Sequence, residues 1–449
     1  MVNLDNAILP AIGLISATIA EFNAFPFSPG FDIKKVAAQA VALPTHSWEY
    51  GTTTQALLEL YNPELSVFGQ SPFPVPSVDV NDIRALGYVA KSVRFGNGYA
   101  ALDRGNGAAG DPASMGVGAL MVGKTNATFA KAADDTIKGL LEDVPRYWNG
   151  AISHRANTAE LWADFMYMVP PYLAYYAADK EDEGLLRESV RQCQLYRDIL
   201  QSDTNEAYKG AWRHIIGPES QDTGLWSTGN AWAAAGMTRV LATVNKSSFV
   251  TNSTWRAQAT NNLTRYIKEI VDGARGSNQQ DGLLRNYWND RNTQGHGFGE
   301  ISGSSLLAAV VYRMAVLQPE VFTASYVQWA DDLRTTLAGN DANGNPHITS
   351  TGIATPAVNP LGWLDTRPFT KGSPEGNAFV VLMYAGWRDC VKAGKCSATS
   401  TGAGSAEALV AAAAAVDSLA ETNAKREISP SYIHRAARRH LGTTHHSTN

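Results

Sequence analysis

Apolar residues recur at three- and four-residue steps along most of the chain, a spacing that predicts helices. The pattern is clear in "IRALGYVAKSV", "ASMGVGALMVG", "FAKAADDTIKGLLEDV" and "LLRESVRQCQLYRDIL". It continues through "NAWAAAGMTRVLATV", "WRAQATNNLTRYIKEIVDGA", "SSLLAAVVYRMAVL", "YVQWADDLRTTLAG", "NAFVVLMYAGWRDCV" and "AEALVAAAAAVDSLAE". Alternating strand patterns are scarce; "HITSTGIATPAV" is the best candidate and reads equally as a loop. The helices are of two kinds. One set is small and apolar nearly all round, the other amphipathic and charged, and the two tend to alternate. Helices apolar on every side must be buried, and amphipathic ones cover them. An inner ring wrapped by an outer ring satisfies both, so the predicted fold is an all-α (α/α)6 toroid, with an open solenoid as the alternative.

In a toroid the loops before the inner helices meet at one end and line a cavity. The segments "GNGAAGDPAS", "NGAISHRANTAELW", "WRHIIGPESQDTGLWSTGNAW", "NTQGHGFGEISGSS" and "RPFTKGSPEGNAF" precede apolar helices and are rich in Gly, Trp and polar residues. No linker divides the chain. Residues 1–449 read as one domain, with a peripheral C-terminal segment from about residue 400.

The apolar run "ELWADFMYMVPPYLAYYAA" reaches membrane-span length. Asp164 and the Pro170–Pro171 pair inside it argue for a buried core helix instead. Of the 449 residues 44% are hydrophobic and 18% charged, and the net charge is −5, so a large core can be buried and nucleic acid is disfavoured as a partner. The basic tail "HRAARRHLGTTHH" reads as a solvated terminal helix. Cys193, Cys390 and Cys396 match no zinc or thioredoxin spacing; Cys390 and Cys396 could close a small loop. Sequons stand at Asn126, Asn245, Asn252 and Asn262, three of them close together, which suggests a glycosylated surface segment. The first twenty residues lack a basic start and carry Asp5, so they make a poor signal peptide as written. The expected protein is nonetheless soluble and secreted, a monomer or a homodimer.

Candidate chemistry sits in the loops. On an apolar wall the charged form of Asp164 is disfavoured, so its pKa is expected to rise, as a general acid near neutral pH requires. The same residue also fits a core Asp bonded to a hydroxyl or to Arg155. Asp111 in "GDPAS" reads as a helix N-cap with Pro112 behind it, which would put a carboxylate at the mouth of an inner helix. His154 with Arg155, and Arg213 with His214, are cation pairs able to hold an anionic or hydroxyl-rich ligand, although loop histidines are often merely exposed. Trp148, Trp162, Trp212, Trp226 and Trp232 lie beside Gly and polar residues, as in a sugar pocket, or else fill the core. Neither "EISGSS" nor "GNGYAALDRGNG" follows a strand or carries the P-loop Lys, so nucleotide binding is set aside.

The blocks "ELWADFMYMVPPYLAYY", "DPASMGVGALM", "GLWSTGNAWAAAGM", "GEISGSS" and "SPEGNAF" occur in the order seen in glycoside hydrolase families 88 and 105, which the chain resembles from about residue 80 to 390. Those families are unsaturated glucuronyl and rhamnogalacturonyl hydrolases on six α-hairpins. The resemblance puts the proton donor on Asp164 and the second carboxylate on Asp111. His214 and Trp232, with Trp226, Thr228 and Asn230 of "WSTGNAW", fall on or beside its sugar-contacting positions. It implies protonation of C4 of a 4,5-unsaturated uronic acid, water addition at C5 and collapse of a hemiketal, with no metal or organic cofactor. The family block reads Trp-x-Arg-Gly-Asn, whereas here Thr228 replaces the Arg that serves the substrate's acidic group. Thr cannot offer a bidentate fork, so Arg155, Arg213 or Arg285 substitutes, or the substrate differs. The expected partner is an acidic oligosaccharide. A hydrolase of a saturated uronoside and a silent glycan-binding toroid are the alternatives.

Overall fold

The computed structural model describes residues 22–105, 107–202, 208–250, 253–290 and 295–398. The expectations for residues 1–20, for "AEALVAAAAAVDSLAE", for the basic tail and for Asn252 lie outside these residues.

Thirteen α-helices make the ring: α1 (Ile33–Ala42), α2 (Ser47–Tyr61), α3 (Arg84–Ser92), α4 (Gly110–Ala113), α5 (Gly116–Gly123), α6 (Ala127–Glu142), α7 (Phe165–Lys180), α8 (Glu183–Leu200), α9 (Ser227–Lys246), α10 (Thr254–Arg275), α11 (Ile301–Leu317), α12 (Ala324–Thr336) and α13 (Pro374–Lys392). The count is of the described residues. The inner ring runs α2, α4 with α5, α7, α9, α11 and α13, each packed on the next, and α13 returns to α2. Helices α1, α3, α6, α8, α10 and α12 wrap the outside. This is the closed toroid and not the open solenoid.

Burial follows the two helix kinds read in the sequence. Every residue of α9 from Ser227 to Val244 is buried, and every residue of α11 from Ile301 to Ala315. Helix α8 buries a single stripe, Leu186, Ser189, Val190, Gln192, Cys193, Tyr196 and Leu200. Inner helices touch closely where a side chain is missing. A Cβ on Gly236 would overlap the backbone carbonyl of Met166, and one on Gly116 the ring of Tyr172. The prolines of α7 sit in this buried layer, and the Pro170 carbonyl accepts the Ser189 hydroxyl at 2.7 Å.

Helices α1 and α2 were not evident from periodicity. Helix α2 is an inner helix whose buried positions include Glu49, Thr52, Thr53, Thr54, Gln55 and Glu59. It tolerates them because each is paired. The Thr52 and Thr54 hydroxyls donate to the carbonyls of Trp48 and Tyr50 at 2.7 and 2.8 Å. Arg239 donates to Gln55 at 3.1 Å, and Arg313 to Glu59 at 2.7 Å. "HITSTGIATPAV" is a loop with two isolated bridges, Ile348 to Ala354 and Ala357 to Phe369. Cys390 and Cys396 are disulfide-bonded, and Cys193 is a buried free thiol. Among the described residues no helix is long and apolar enough to cross a membrane.

Candidate active site

Two short backbone couplings each deliver one Asp–His pair to the same end of the ring. In the first, the amide of Ala109 donates to the His154 carbonyl at 2.7 Å, and Ala108 bridges Arg155. The chain has therefore already turned into α4 before Asp111. Asp111 lies inside the first turn and is not the N-cap expected from "GDPAS". Its carboxylate is left for the cavity, where Oδ1 stands 3.7 Å from Nε2 of His154. In the second, strand β1 (Leu161–Trp162) pairs antiparallel with β2 (Ile215–Ile216), and the amide of Ala163 donates to the His214 carbonyl at 2.9 Å. This sets Asp164 Oδ2 at 3.3 Å from His214 Nε2. Asp164 occupies the N-cap position of α7 but makes no capping bond.

Both pairs line one cavity of about 350 Å³. Trp48, Trp162, Trp226 and Trp363 give it aromatic walls, and Arg155, Glu375 and the Pro360–Leu361 segment complete much of the rest. Trp162 stacks on the His154 ring, centroids 4.8 Å apart. Trp226 packs at 4.3 Å from His214 and is held by its indole N–H donating to Asn286 at 2.8 Å.

The two pairs differ electrostatically. Burial pushes the Asp111 carboxyl up to about 7, and the Asp164 charge adds to this. Burial likewise pushes the His154 ring down to about 4, so it is neutral. At His214 burial acts downward, but the carboxylates of Asp164 and Asp222 outweigh it and hold the ring above its ordinary value. Asp222 Oδ2 lies 2.9 Å from His214 Nδ1 and accepts the Tyr287 hydroxyl at 2.5 Å. So an Asp111 carboxyl pushed up by burial, beside a neutral imidazole, faces an Asp164 set against a His214 ring held above its ordinary value. The apolar wall expected around Asp164 is on one side only. Two carboxyls in contrasting environments are what paired acid and base chemistry requires.

The other sequence candidates divide. His154, Arg155, His214 and Trp226 line the cavity; Arg213, Thr228, Asn230 and Trp232 are not among its lining residues. Trp232 is fully buried between Tyr167 and Phe379, ring centroids 4.5 and 4.6 Å away, so it is core. Asn230 ties the preceding loop to α9, accepting the Trp212 amide at 2.7 Å and donating to the Trp212 and Trp226 carbonyls at 2.9 Å. Trp212 is fully buried, and Trp148 is exposed at the surface. Arg285 donates to the Gly297 carbonyl at 2.5 Å and is outside the lining.

Sequence reasoning missed Asp222, Tyr287, Trp48, Glu375 and Trp363. Glu375 follows Ser373 and Pro374, which read simply as a helix start. It is buried on the cavity wall and accepts the Trp48 indole N–H at 2.9 Å. Burial, with the charges of Asp164 and Glu49, pushes its carboxyl well above the usual carboxylate range. Among the described residues no three His, Cys, Asp or Glu side chains are grouped to hold a metal ion.

No curated protein matches the chain. Solved structures do. A possible member of family GH105 from Salmonella enterica serovar Paratyphi A is similar with a TM-score of 0.59 and 14% identity, covering 80% of this chain and 93% of that one. A glycosyl hydrolase family 88 protein from Bacteroides vulgatus is similar with a TM-score of 0.51 and 14% identity, over 80% of this chain and 98% of that one. An unsaturated glucuronyl hydrolase specific for heparin is similar with a TM-score of 0.51 and 11% identity, over 81% and 98%. At such identities these likenesses establish the toroid alone. The model of Glycosyl Hydrolase Family 88 matches residues 119–386, more than half of the chain, from just after Asp111 to α13. With that match over a six-hairpin ring, the chain belongs to Glycosyl Hydrolase Family 88 and is a glycoside hydrolase.

Proposed function

We propose that this enzyme removes a 4,5-unsaturated uronic acid from the non-reducing end of lyase-generated oligosaccharides by hydrating the double bond. The observation that carries the reading is the shared cavity lined by Asp111 and Asp164, one with its carboxyl pushed up by burial and one 3.3 Å from the His214 ring. Asp164 delivers a proton to C4, water adds at C5 with its proton returning to Asp164, and the hemiketal opens to release the next sugar. Protonated Asp111 supports the hydroxyl face as a neutral donor. Helices α2, α4, α7, α9 and α13 begin at the cavity, and the partial positive charge of helix N-termini favours an anionic substrate. Burial keeps Asp111 and Glu375 from opposing it. The test is a panel of lyase-digested pectin, ulvan, gum and glycosaminoglycan fragments, followed by the ultraviolet absorbance of the uronate double bond. Consumption of that absorbance is expected. Cleavage of saturated uronosides with the double bond untouched, or binding without turnover, would overturn the reading.

Arg155 is the Arg or Lys among the described lining residues, and we assign it the substrate carboxylate in place of the Arg that Thr228 replaces. Thr228 is fully buried at the start of α9. Arg is larger and charged, so at this fully buried position Thr228→Arg should lower stability by about 3–5 kcal/mol without raising turnover. Thermal melting and turnover on one preparation check this. A folded Thr228→Arg enzyme with higher turnover would sink the assignment to Arg155. Export is also inferred, supported by the Cys390–Cys396 disulfide and by the exposed sequon at Asn126.

A further inference from the structure

Asp164 is asked to give up a proton at each turnover and must be resupplied, and the His214 ring stands beside it, 3.3 Å away. A hydrogen-bond chain holds the ring from behind. Asp222 is fixed by its own backbone, since its N–H and carbonyl pair with Ile215 at 3.1 and 2.8 Å and its Oδ1 accepts the Gly224 amide at 2.9 Å. Its Oδ2 receives both the Tyr287 hydroxyl and the Nδ1 side of His214. With Nδ1–H committed there, Nε2 is the ring atom turned to Asp164, 3.3 Å from Oδ2, and neither of these two buried atoms has a hydrogen-bond partner.

We propose that His214 is the proton reservoir for Asp164, and that Asp222 is the positioning residue that holds His214 in that role. The inference rests on the reading of Asp164 as proton donor. His214 Nε2–H passes its proton to Asp164 Oδ2, leaving a neutral imidazole whose Nδ1–H stays on Asp222. Asp164 then gives a proton to C4. The water that adds at C5 returns one proton to Asp164, and from there it goes back to Nε2. No oxidant, reductant or further reactant is consumed. The arrangement also explains why the buried His214 ring is held above its ordinary value while His154, with no second carboxylate behind it, is pushed down to about 4.

The groups that face His214 are Asp164 and Asp222 directly, Tyr287 through Asp222, and Asp111, His154, Arg155 and Glu375 on the same cavity, among the aromatic rings of Trp162, Trp226 and Trp363. His214 must hold its proton for turnover, so activity is lost as pH rises through the raised pKa of the ring. Asp222→Asn keeps an acceptor oxygen of the same reach but removes the charge. Its descending limb in kcat should therefore move to lower pH by roughly one to three pH units, with KM little changed. At the acid end, where the ring is protonated in both proteins, the two rates should converge. Tyr287→Phe removes a donor that competes for the same Asp222 oxygen, strengthening its field at His214. That limb should move the other way, and by less. His214 ring titration followed by NMR in substrate-free protein should move in the same sense as each limb. Asp111, His154 and Glu375 titrate in all three proteins and cancel in the comparison. An equal loss of rate at every pH, or unmoved limbs and ring titration in both variants, overturns the relay. If those limbs stay put while Asp164→Asn is inactive, the relay alone fails; a folded and fully active Asp164→Asn overturns the donor reading together with it.

Discussion

Replacing Asp164 by Asn is expected to cut turnover by about 10²–10⁴-fold while leaving the fold intact, the range that general acid–base groups supply. The amide matches the carboxyl in size but cannot deliver a proton to carbon. Little stability should be lost, because Asp164 makes no capping bond to α7 and its neighbour His214 remains anchored to Asp222. Ligand affinity should survive as well, since Arg155 and the tryptophan walls are untouched. Melting temperature, ligand affinity and turnover measured on one preparation decide the matter. A folded variant with near-normal turnover removes Asp164 from the mechanism. A variant of lower melting temperature with full activity per folded molecule makes it a structural residue.

Asp111→Asn should do something opposite to stability. The Asp111 carboxyl has a folded-state pKa of about 7, pushed up by burial and by Asp164. Its unfolded value is ~3.9. A carboxyl whose pKa is raised on folding binds its proton more tightly in the native state. The native state is therefore penalised as pH rises above the unfolded value, and the penalty levels off above about 7. At that plateau it is worth roughly 4 kcal/mol. Asn carries no charge at any pH and escapes it. The melting temperature of Asp111→Asn should match that of the unaltered enzyme near pH 4 and exceed it increasingly up to pH 8, even as turnover falls. A gap that does not change with pH would show that Asp111 is not held protonated by its site.

What the sequence made legible depended on how far each residue's neighbours in the chain are also its neighbours in space. Helices α9 and α11 were plain because a helix apolar on every side has only one place to go. Helix α2 occupies the same ring and was invisible, since its buried Gln55 and Glu59 are matched by Arg239 and Arg313 from helices far along the chain. Asp164 stood out because charge is rare in an apolar run. Asp222 and Glu375 did not, since an acidic residue before a Gly or after a Pro has an ordinary local explanation. Trp232 and Asn230 erred in the other direction. Both belong to a motif near the cavity, yet one fills the core and the other holds the loop that carries Trp226.

The same pairing that hid α2 governs the order in which the molecule can be completed. Arg388 of α13 donates to the carbonyls of Glu59 and Leu60 at 2.7 and 2.6 Å, joining positions 329 and 328 residues apart. Arg313 and Arg388 also share Asp389, at 2.7 and 2.8 Å. During synthesis, then, the first inner helix emerges with Glu59 still lacking Arg313 of α11, and waits for the last helix to bring Arg388 to its final carbonyls. The intervening hairpins can each form from local contacts, which is fast, but the final seam closes a loop of nearly the whole length of the ring, which is slow and entropically opposed. Until that seam forms, the helix mouths that frame the cavity are not all present, so the enzyme acquires its site in the last act of folding.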